Sequence, residues 1–203
     1  MSGLARKADR LNQLVGAINE LAMQDVLIGV PAMKTQRDPE PGEPAGITNA
    51  AVGYIQEFGS PASNIPARPF LIPGVKAAQK EVADRLKAAA QGAMTFKPTQ
   101  VRQNMMAAGL IAQNSVRKTL TDGIGYAPLA EATLAARRRR GRTGTRPLVD
   151  TGQLRNAITY VIRHAGKQGQ GGGSHSSMGG LADLAASPRK ALAPFSAKLS
   201  ARW

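Results

Sequence analysis

The tripeptide Asp150-Thr151-Gly152 is the pattern in this sequence that comes closest to known catalytic chemistry. An apolar pair precedes the tripeptide, as in the active-site loop of aspartic proteases. In those enzymes the loop places one aspartate opposite a second aspartate, so that the two carboxyl groups share a proton. A homodimer would supply the second aspartate. The alternative is that Asp150 and Thr151 cap a turn with their side chains while Gly152 provides backbone freedom. We favour the turn, because Gln153 stands where those proteases carry alanine and no second apolar-glycine element follows.

Six arginines fall within ten residues between positions 137 and 146. Because so many like charges repel one another, the sequence predicts an exposed loop here and a counter-surface that neutralises it. That surface is either nucleic-acid phosphate or an acidic protein face, and a purely solvated loop is the remaining alternative. No aromatic residues interleave with the arginines, which argues against stacking on single-stranded nucleic acid. The predicted contact residues, with the lone tryptophan as a further anchor, are Arg137, Arg138, Arg139, Arg140, Arg142 and Trp203.

The composition excludes several classes of chemistry. There is no cysteine, which rules out disulfides, thiolate metal sites and a cysteine nucleophile, and two histidines are too few for a histidine-only metal cluster. We therefore predict no metal and no cofactor. No apolar run approaches the ~20 residues of a membrane span, and no hydrophobic signal core is present, which predicts a cytoplasm-like compartment.

The charge is distributed unevenly. The formal net charge is +14, and residues 123–203 hold 13 of the 27 Lys and Arg but only 3 of the 13 Asp and Glu. A basic second half predicts a polyanionic or acidic partner surface.

Hydrophobic periodicity predicts the elements that position these residues. Apolar residues at helical spacing predict helices, short apolar or alternating runs predict strands, and proline or glycine clusters predict loops. Thr99 is expected to cap one helix, and Pro128 to stand in the first turn of another. Helices are expected at 4–24, 47–58, 74–92, 100–120 and 128–137, and strands at 26–30 and 157–163.

The predicted fold class is α+β, with a small mixed or antiparallel sheet packed against two or three long helices. Residues 1–163 are expected to form one domain, with a proline- and acid-rich loop at 31–46 and the arginine loop at 137–146. Residues 164–203 are expected to form a glycine-rich segment and a C-terminal arm, because seven glycines fall between positions 166 and 180. The glycines match no phosphate-binding loop, since no Gly-Lys-Ser or Gly-Lys-Thr follows them.

Four short motifs follow one another along roughly residues 26–163, and each occurs once. They are Tyr-Ile-Gln-Glu-Phe-Gly at 54–59, Ile-Pro-Ala-Arg-Pro-Phe-Leu at 65–71, Tyr-Ala-Pro-Leu at 126–129 and Pro-Leu-Val-Asp-Thr-Gly-Gln-Leu at 147–154. In this order they resemble the tail-completion or neck proteins of long-tailed bacteriophages. This is the phage virion morphogenesis family, with the Mu-type protein G and the lambda-type tail protein Z as relatives.

The resemblance implies a structural virion protein without enzymatic activity. Such proteins form a ring, usually a hexamer, at the head-proximal end of the tail, which they complete and join to the head around the DNA channel. The implied partners are further copies of this chain, the tail terminator or tube protein, and the adaptor or stopper proteins of the head–tail connector. Genomic DNA in the channel is a further contact. The implied location is the neck of the virion, after assembly in the host cytoplasm.

The loops and the arm suggest how such a ring would be held together. Two contacts are open for the arginine loop 137–146. It either meets the acidic loop 31–46 of the adjacent subunit, which is a contact that closes a ring, or it contacts DNA or an acidic connector protein. The alternative is a basic nucleic-acid-binding protein that acts through residues 137–146.

The motifs also lead to structural expectations for single residues. Pro66 and Pro69 stiffen the connector, so that Arg68 and Phe70 are presented at fixed angles. Phe70 is expected to enter the core, and Arg68 to pair with an acid, for which Glu57 is the candidate.

Overall fold

A computed structural model describes residues 3–38, 46–164 and 196–199 of the chain. Within those residues the fold is α+β, as predicted, with helices packed against a small antiparallel sheet. The helices are α1 (Gly3–Ala22), α2 (Asn49–Phe58), α3 (Leu71–Ala77), α4 (Gln79–Met94), α5 (Pro98–Asp122), α6 (Glu131–Arg139) and α7 (Gln153–Ala157). The strands are β1 (Gln24–Gly29), β2 (Thr159–His164) and β3 (Ser196–Leu199), and short 3₁₀ turns lie at Ala32–Lys34 and Pro61–Ser63.

The sheet has β1 at its centre and the order β2-β1-β3. Both pairings are antiparallel, and Val26 lies opposite Ile162 on one side and Leu199 on the other. The two predicted strands are confirmed with shifted bounds, because Ala157 belongs to α7. The sequence does not predict β3, which lies within the segment expected to be an arm.

The helix α5 is the longest element and carries much of the core. Its buried face includes Met105, Ala108, Ala112, Val116 and Leu120, which belong to the stripe that predicted this helix. The prediction that Thr99 caps it is wrong. The N-cap is Lys97, without a side-chain hydrogen bond, and Pro98 is the first helical residue. Proline suits that position because its missing N–H would have no helical partner there.

The segment predicted as one helix over 74–92 is two helices. Ala78, with φ −91° and ψ 0°, separates α3 from α4. The apolar period continues across one non-helical residue, so periodicity alone does not reveal the break. Gly74 of α3 packs directly on α5, where an added Cβ would lie 2.6 Å from Val116 Cα.

The helix predicted at 128–137 begins and ends later in the chain. Ala130 is extended (φ −61°, ψ 146°), so α6 starts at Glu131 and Pro128 lies outside it. At its other end the helix reaches Arg139. Three of the arginines predicted to be in a loop, Arg137 to Arg139, are therefore helical.

The elements before residue 60 agree more closely with the sequence-based prediction. α1 matches the helix predicted at 4–24, although it ends at Ala22 because β1 begins at Gln24. α2 matches the helix predicted at 47–58, with Thr48 as N-cap accepting a hydrogen bond from the Ala51 amide at 3.1 Å. Gly59, at φ 77°, ends α2 as its position predicts.

Several expectations lie outside the described residues. These are the centre of the acidic loop at 39–45, the glycine tract, and Trp203 as a contact residue.

Candidate functional site

The buried guanidinium of Arg137 organises the arginine-rich segment. Arg137 stands in the last turn of α6 and is 6% exposed. Its Nη1 donates to the carbonyl oxygens of Gly144 at 2.9 Å, Arg146 at 2.9 Å and Val149 at 3.4 Å. The Arg142 amide donates to the Arg137 carbonyl at 3.0 Å. The chain that follows α6 is thus wrapped around one side chain.

The expectation that this run cannot be buried is therefore wrong for Arg137. A guanidinium tolerates burial when carbonyl oxygens replace the water that it loses. The wrapped segment also holds Leu148 at φ 62°. A non-glycine residue keeps such a conformation, which costs about 1–3 kcal/mol, only where its surroundings fix it.

Asp150 lies between two guanidiniums. Its Oδ2 accepts a hydrogen bond from Arg142 Nη1 at 3.1 Å and lies 3.6 Å from Arg137 Nε. Arg137 Nε is buried and donates no hydrogen bond among the described residues. Asp150 therefore closes the arginine segment through its contacts with these two guanidiniums.

The turn that begins α7 is built by its backbone more than by side chains. Gly152 is the N-cap at φ 74°, a left-handed conformation that glycine adopts without strain, and no side chain caps the helix. Thr151 Oγ1 accepts a long hydrogen bond from the Gln153 amide at 3.4 Å. The predicted freedom of Gly152 is confirmed, whereas the prediction that Asp150 caps this turn is wrong.

The remaining arginines of the segment stay at the surface. Arg138 pairs with Glu131 of the same helix at 2.5 Å. Arg139, Arg140 and Arg146 are exposed, and Arg142 is half-buried beside Asp150. Of the contact residues predicted in this segment, Arg138, Arg139 and Arg140 are thus exposed, Arg142 is half-buried and Arg137 is buried.

Glu57 binds the start of α3 and does not pair with Arg68. It is 3% exposed, and its Oε2 accepts hydrogen bonds from the amides of Phe70 at 2.7 Å and Leu71 at 2.8 Å. Its Oε1 accepts from the Ile72 amide at 3.0 Å. The first amides of a helix lack internal acceptors and carry partial positive charge, so a carboxylate satisfies them well. The predicted burial of Phe70 is confirmed, since it is 1% exposed.

Arg68 is buried, but its partners are neutral. Its Nε donates to the Ala127 carbonyl and its Nη2 to the Pro128 carbonyl, both at 2.9 Å. Its Nη1 reaches Gln56 Oε1 at 3.4 Å. The predicted Arg68–Glu57 pair is wrong, because the backbone amides hold Glu57 and the backbone carbonyls hold Arg68. Pro128 O, which would accept from residue 132 in a helix, is bound to Arg68 instead.

Two prolines that flank Arg68, and a nearby tyrosine, belong to the same part of the fold. Pro66 and Pro69 are both exposed on the connector, and their stiffening role stays a prediction. The Tyr126 hydroxyl donates to the Thr119 carbonyl at 3.3 Å. Burial, with a further contribution from the charge of Glu57, raises the pKa of Tyr126 to about 12.

This raised pKa predicts a loss of stability at alkaline pH. The pKa of tyrosine in an unfolded chain is about 10. The neutral Tyr126 phenol therefore contributes fully below that pH, and its contribution is lost as the pH rises to about 12. Urea unfolding across this range is expected to show a steeper loss for the wild type than for Tyr126→Phe. Equal slopes for the two proteins would contradict the assignment.

Two residues that the sequence does not mark hold the start of β2. The buried Gln113 accepts hydrogen bonds through Oε1 from Thr159 Oγ1 at 2.9 Å and from the Tyr160 amide at 3.2 Å. Arg117, four residues later on α5, donates to the Ile158 carbonyl from Nε at 3.1 Å and from Nη2 at 2.6 Å. The sequence signal that could have indicated these contacts is the spacing of the two polar residues, which lie four positions apart on one helix face beside the apolar stripe.

The part of the chain that the structure describes shows no cluster of three or more histidine, cysteine, aspartate or glutamate side chains that could hold a metal. In the same residues, no helix is long and apolar enough to cross a membrane. No protein-family model, curated protein or solved structure matches this chain. The fold and the site define an α+β protein in which three buried charged residues, Glu57, Arg68 and Arg137, hold backbone segments in place.

Proposed function

We propose that this chain is a structural virion protein, a ring-forming tail-completion or neck subunit that joins a phage tail to its head. The observation that carries the proposal is that Glu57 and Arg68 of the motifs, and Arg137 between the last two motifs, each bind a backbone segment. Glu57 binds the start of α3, Arg68 binds the 127–128 backbone, and Arg137 binds the backbone at 144–149. The Arg68 contact joins segments 59 residues apart, whereas those of Glu57 and Arg137 join segments within 15 residues of each other. The motif residues Glu57 and Arg68 thus hold backbone segments of the fold in place.

The exposed apolar side chains support an assembling protein. On α1, Leu11, Val15 and Ile18 are 60%, 49% and 40% exposed, and their spacing puts them on one helix face. On α2, Tyr54 and Phe58 are also exposed, with their ring centroids 4.9 Å apart. Contiguous apolar surface on a soluble domain marks an interaction site. In a ring, these faces would lie between subunits or against the neighbouring rings.

A second candidate function is nucleic-acid binding through residues 137–146. The observation that favours it is the outward display of Arg139, Arg140 and Arg146 around the buried Arg137. This candidate predicts duplex binding that weakens steeply between about 50 and 200 mM salt. A neck subunit does not require such binding outside the assembled particle.

The proposal is tested by negative-stain electron microscopy of phage particles assembled with and without this protein. We expect free heads beside free tails in its absence, and joined particles once the purified protein is added back. Normal, infectious particles formed without it would overturn the neck function.

A pair of matched variants tests whether the exposed apolar face of α1 takes part in joining. Val15→Glu places a charge on the exposed apolar face of α1, and Gln13→Glu places the same charge at an exposed polar position of the same helix. We expect Val15→Glu to fail in the add-back experiment while Gln13→Glu restores joining, with both proteins folded by circular dichroism.

A further inference from the structure

A small depression lies between the C-terminal part of α5 and α7. Its volume is about 350 Å³. All six lining residues are of polar or charged type, and they come from the two helices. The lining residues are Asn114, Arg117, Lys118, Thr121, Asp122 and Arg155.

Arg117 is held rigidly at this depression. Its Nε and Nη2 both donate to the Ile158 carbonyl, which fixes the plane of the guanidinium. Its Nη1 has no partner among the described residues. A planar guanidinium held in this way presents its remaining donors in a fixed direction.

Arg155 brings a second guanidinium close to the first. It is exposed on α7, and its side chain makes no ion pair or hydrogen bond with the rest of the described chain. Burial lowers the pKa of Arg117, and the positive charge of Arg155 lowers it further. The carboxylate that lines the depression, Asp122, is paired with Lys118. Two neighbouring cations therefore face the depression without a carboxylate of their own.

We propose that this depression binds a phosphate group, held by Arg117 and Arg155. Asn114 stands three residues before Arg117 on the same helix face and supplies an amide donor. Guanidinium groups bind phosphate oxygens through paired, charge-assisted hydrogen bonds, which suits a recess flanked by two of them. The phosphate comes either from free phosphate or from a nucleic-acid backbone.

A nucleic-acid backbone is considered as the source of the phosphate because α7 lies close in the chain to the arginine segment. Arg155 stands five residues after Asp150, which binds Arg142 of the arginine segment. Five residues span at most ~17 Å. Phosphates along one strand of a duplex are spaced by about 3.4 Å of helix axis, so a single strand can reach both groups of arginines.

Calorimetric titration of the full chain with sodium phosphate tests the site. Arg155→Gln is the primary variant, because Arg155 makes no structural contact, and Asn114→Ala is the second. Arg85→Gln on α4 is the matched control, since Arg85 is exposed and lies outside the depression. Loss of a charged hydrogen bond is expected to weaken phosphate binding about tenfold in Arg155→Gln, with Arg85→Gln unchanged. Equal affinities for Arg155→Gln and the wild type, or equal weakening in Arg85→Gln, would overturn the site.

A duplex of about 20 base pairs, followed by fluorescence anisotropy at several salt concentrations, distinguishes the two sources. If the phosphate belongs to a nucleic acid, Arg155→Gln weakens duplex binding and reduces the slope of log affinity against log salt by about one. If duplex binding is unchanged while phosphate binding is lost, the site takes free phosphate. Neither result depends on the assembly of a neck ring, so failure here and failure of the proposed function are separable.

Discussion

Replacing Glu57 with glutamine is expected to lower the free energy of unfolding by about 3 kcal/mol. The carboxylate accepts three backbone hydrogen bonds at the start of α3, from the amides of Phe70, Leu71 and Ile72. Glutamine keeps one carbonyl oxygen and turns an NH₂ group toward a donor. At least one buried amide is then left without an acceptor. Urea unfolding measures the loss, and hydrogen exchange at the three amides locates it.

Two further variants separate the effect of the Glu57 hydrogen bonds to α3 from the effect of removing a negative charge. Glu81→Gln makes the same chemical change on the exposed first turn of α4, and we expect a change within about 0.5 kcal/mol. Glu57→Asp keeps the charge but shortens the side chain, so it is expected to fall between the wild type and Glu57→Gln. If Glu57→Gln unfolds at the same urea concentration as Glu81→Gln, the proposed contact with α3 is not a major source of stability.

The second large effect is expected at Arg137. Arg137→Met keeps much of the side-chain volume but removes the donor shared by the carbonyls of Gly144, Arg146 and Val149. It also leaves Asp150 with Arg142 as its remaining ion-pair partner among the described residues. We expect a loss of about 3–5 kcal/mol, because two or more hydrogen bonds from a charged donor are lost at once and each contributes about 1.5–3 kcal/mol.

Arg139→Met is the matched control for this experiment. It removes an arginine from the same helix, two positions further on, where the side chain is exposed. Its effect on unfolding is expected to stay within about 0.5 kcal/mol. Limited proteolysis adds a local readout, because the segment 140–149 should become susceptible to cleavage in Arg137→Met alone. Equal stability of the two variants would contradict the central position given to Arg137.

These two experiments also bear on how the arginine segment is used. Arg137 belongs to the set predicted to contact a partner, yet its side chain is buried. The exposed members of the set, Arg139 among them, are the ones available to a partner. A variant that removes Arg137 would therefore disturb binding through the shape of the segment, and a variant that removes Arg139 would disturb it through charge.

Residue types and their spacing were enough to predict the class of fold and most of the elements. Apolar residues at helical spacing placed α1 and α5, and alternation placed β2, because burial of one face imposes those periods on the chain. A continuous apolar run placed β1, and α2 was marked by the glycine just past its end. Single residues with a local conformational role were also predictable. Gly59 and Gly152 stand at positive φ, as their places after a helix and in a turn suggested.

The partners of the buried charged side chains, in contrast, depend on how the elements pack against one another. Arg68 and Glu57 have opposite charges and nearby positions, so the sequence favours a pair between them. In the fold, Glu57 accepts from the amides that begin α3, and Arg68 donates to the carbonyls at 127–128. The reason is that an unpaired backbone amide is a donor, and an unpaired backbone carbonyl an acceptor, that residue types do not record. Whether such a group is left over depends on where each helix begins and ends in space. The same holds for Arg137, whose burial follows from the carbonyls that the fold brings around it.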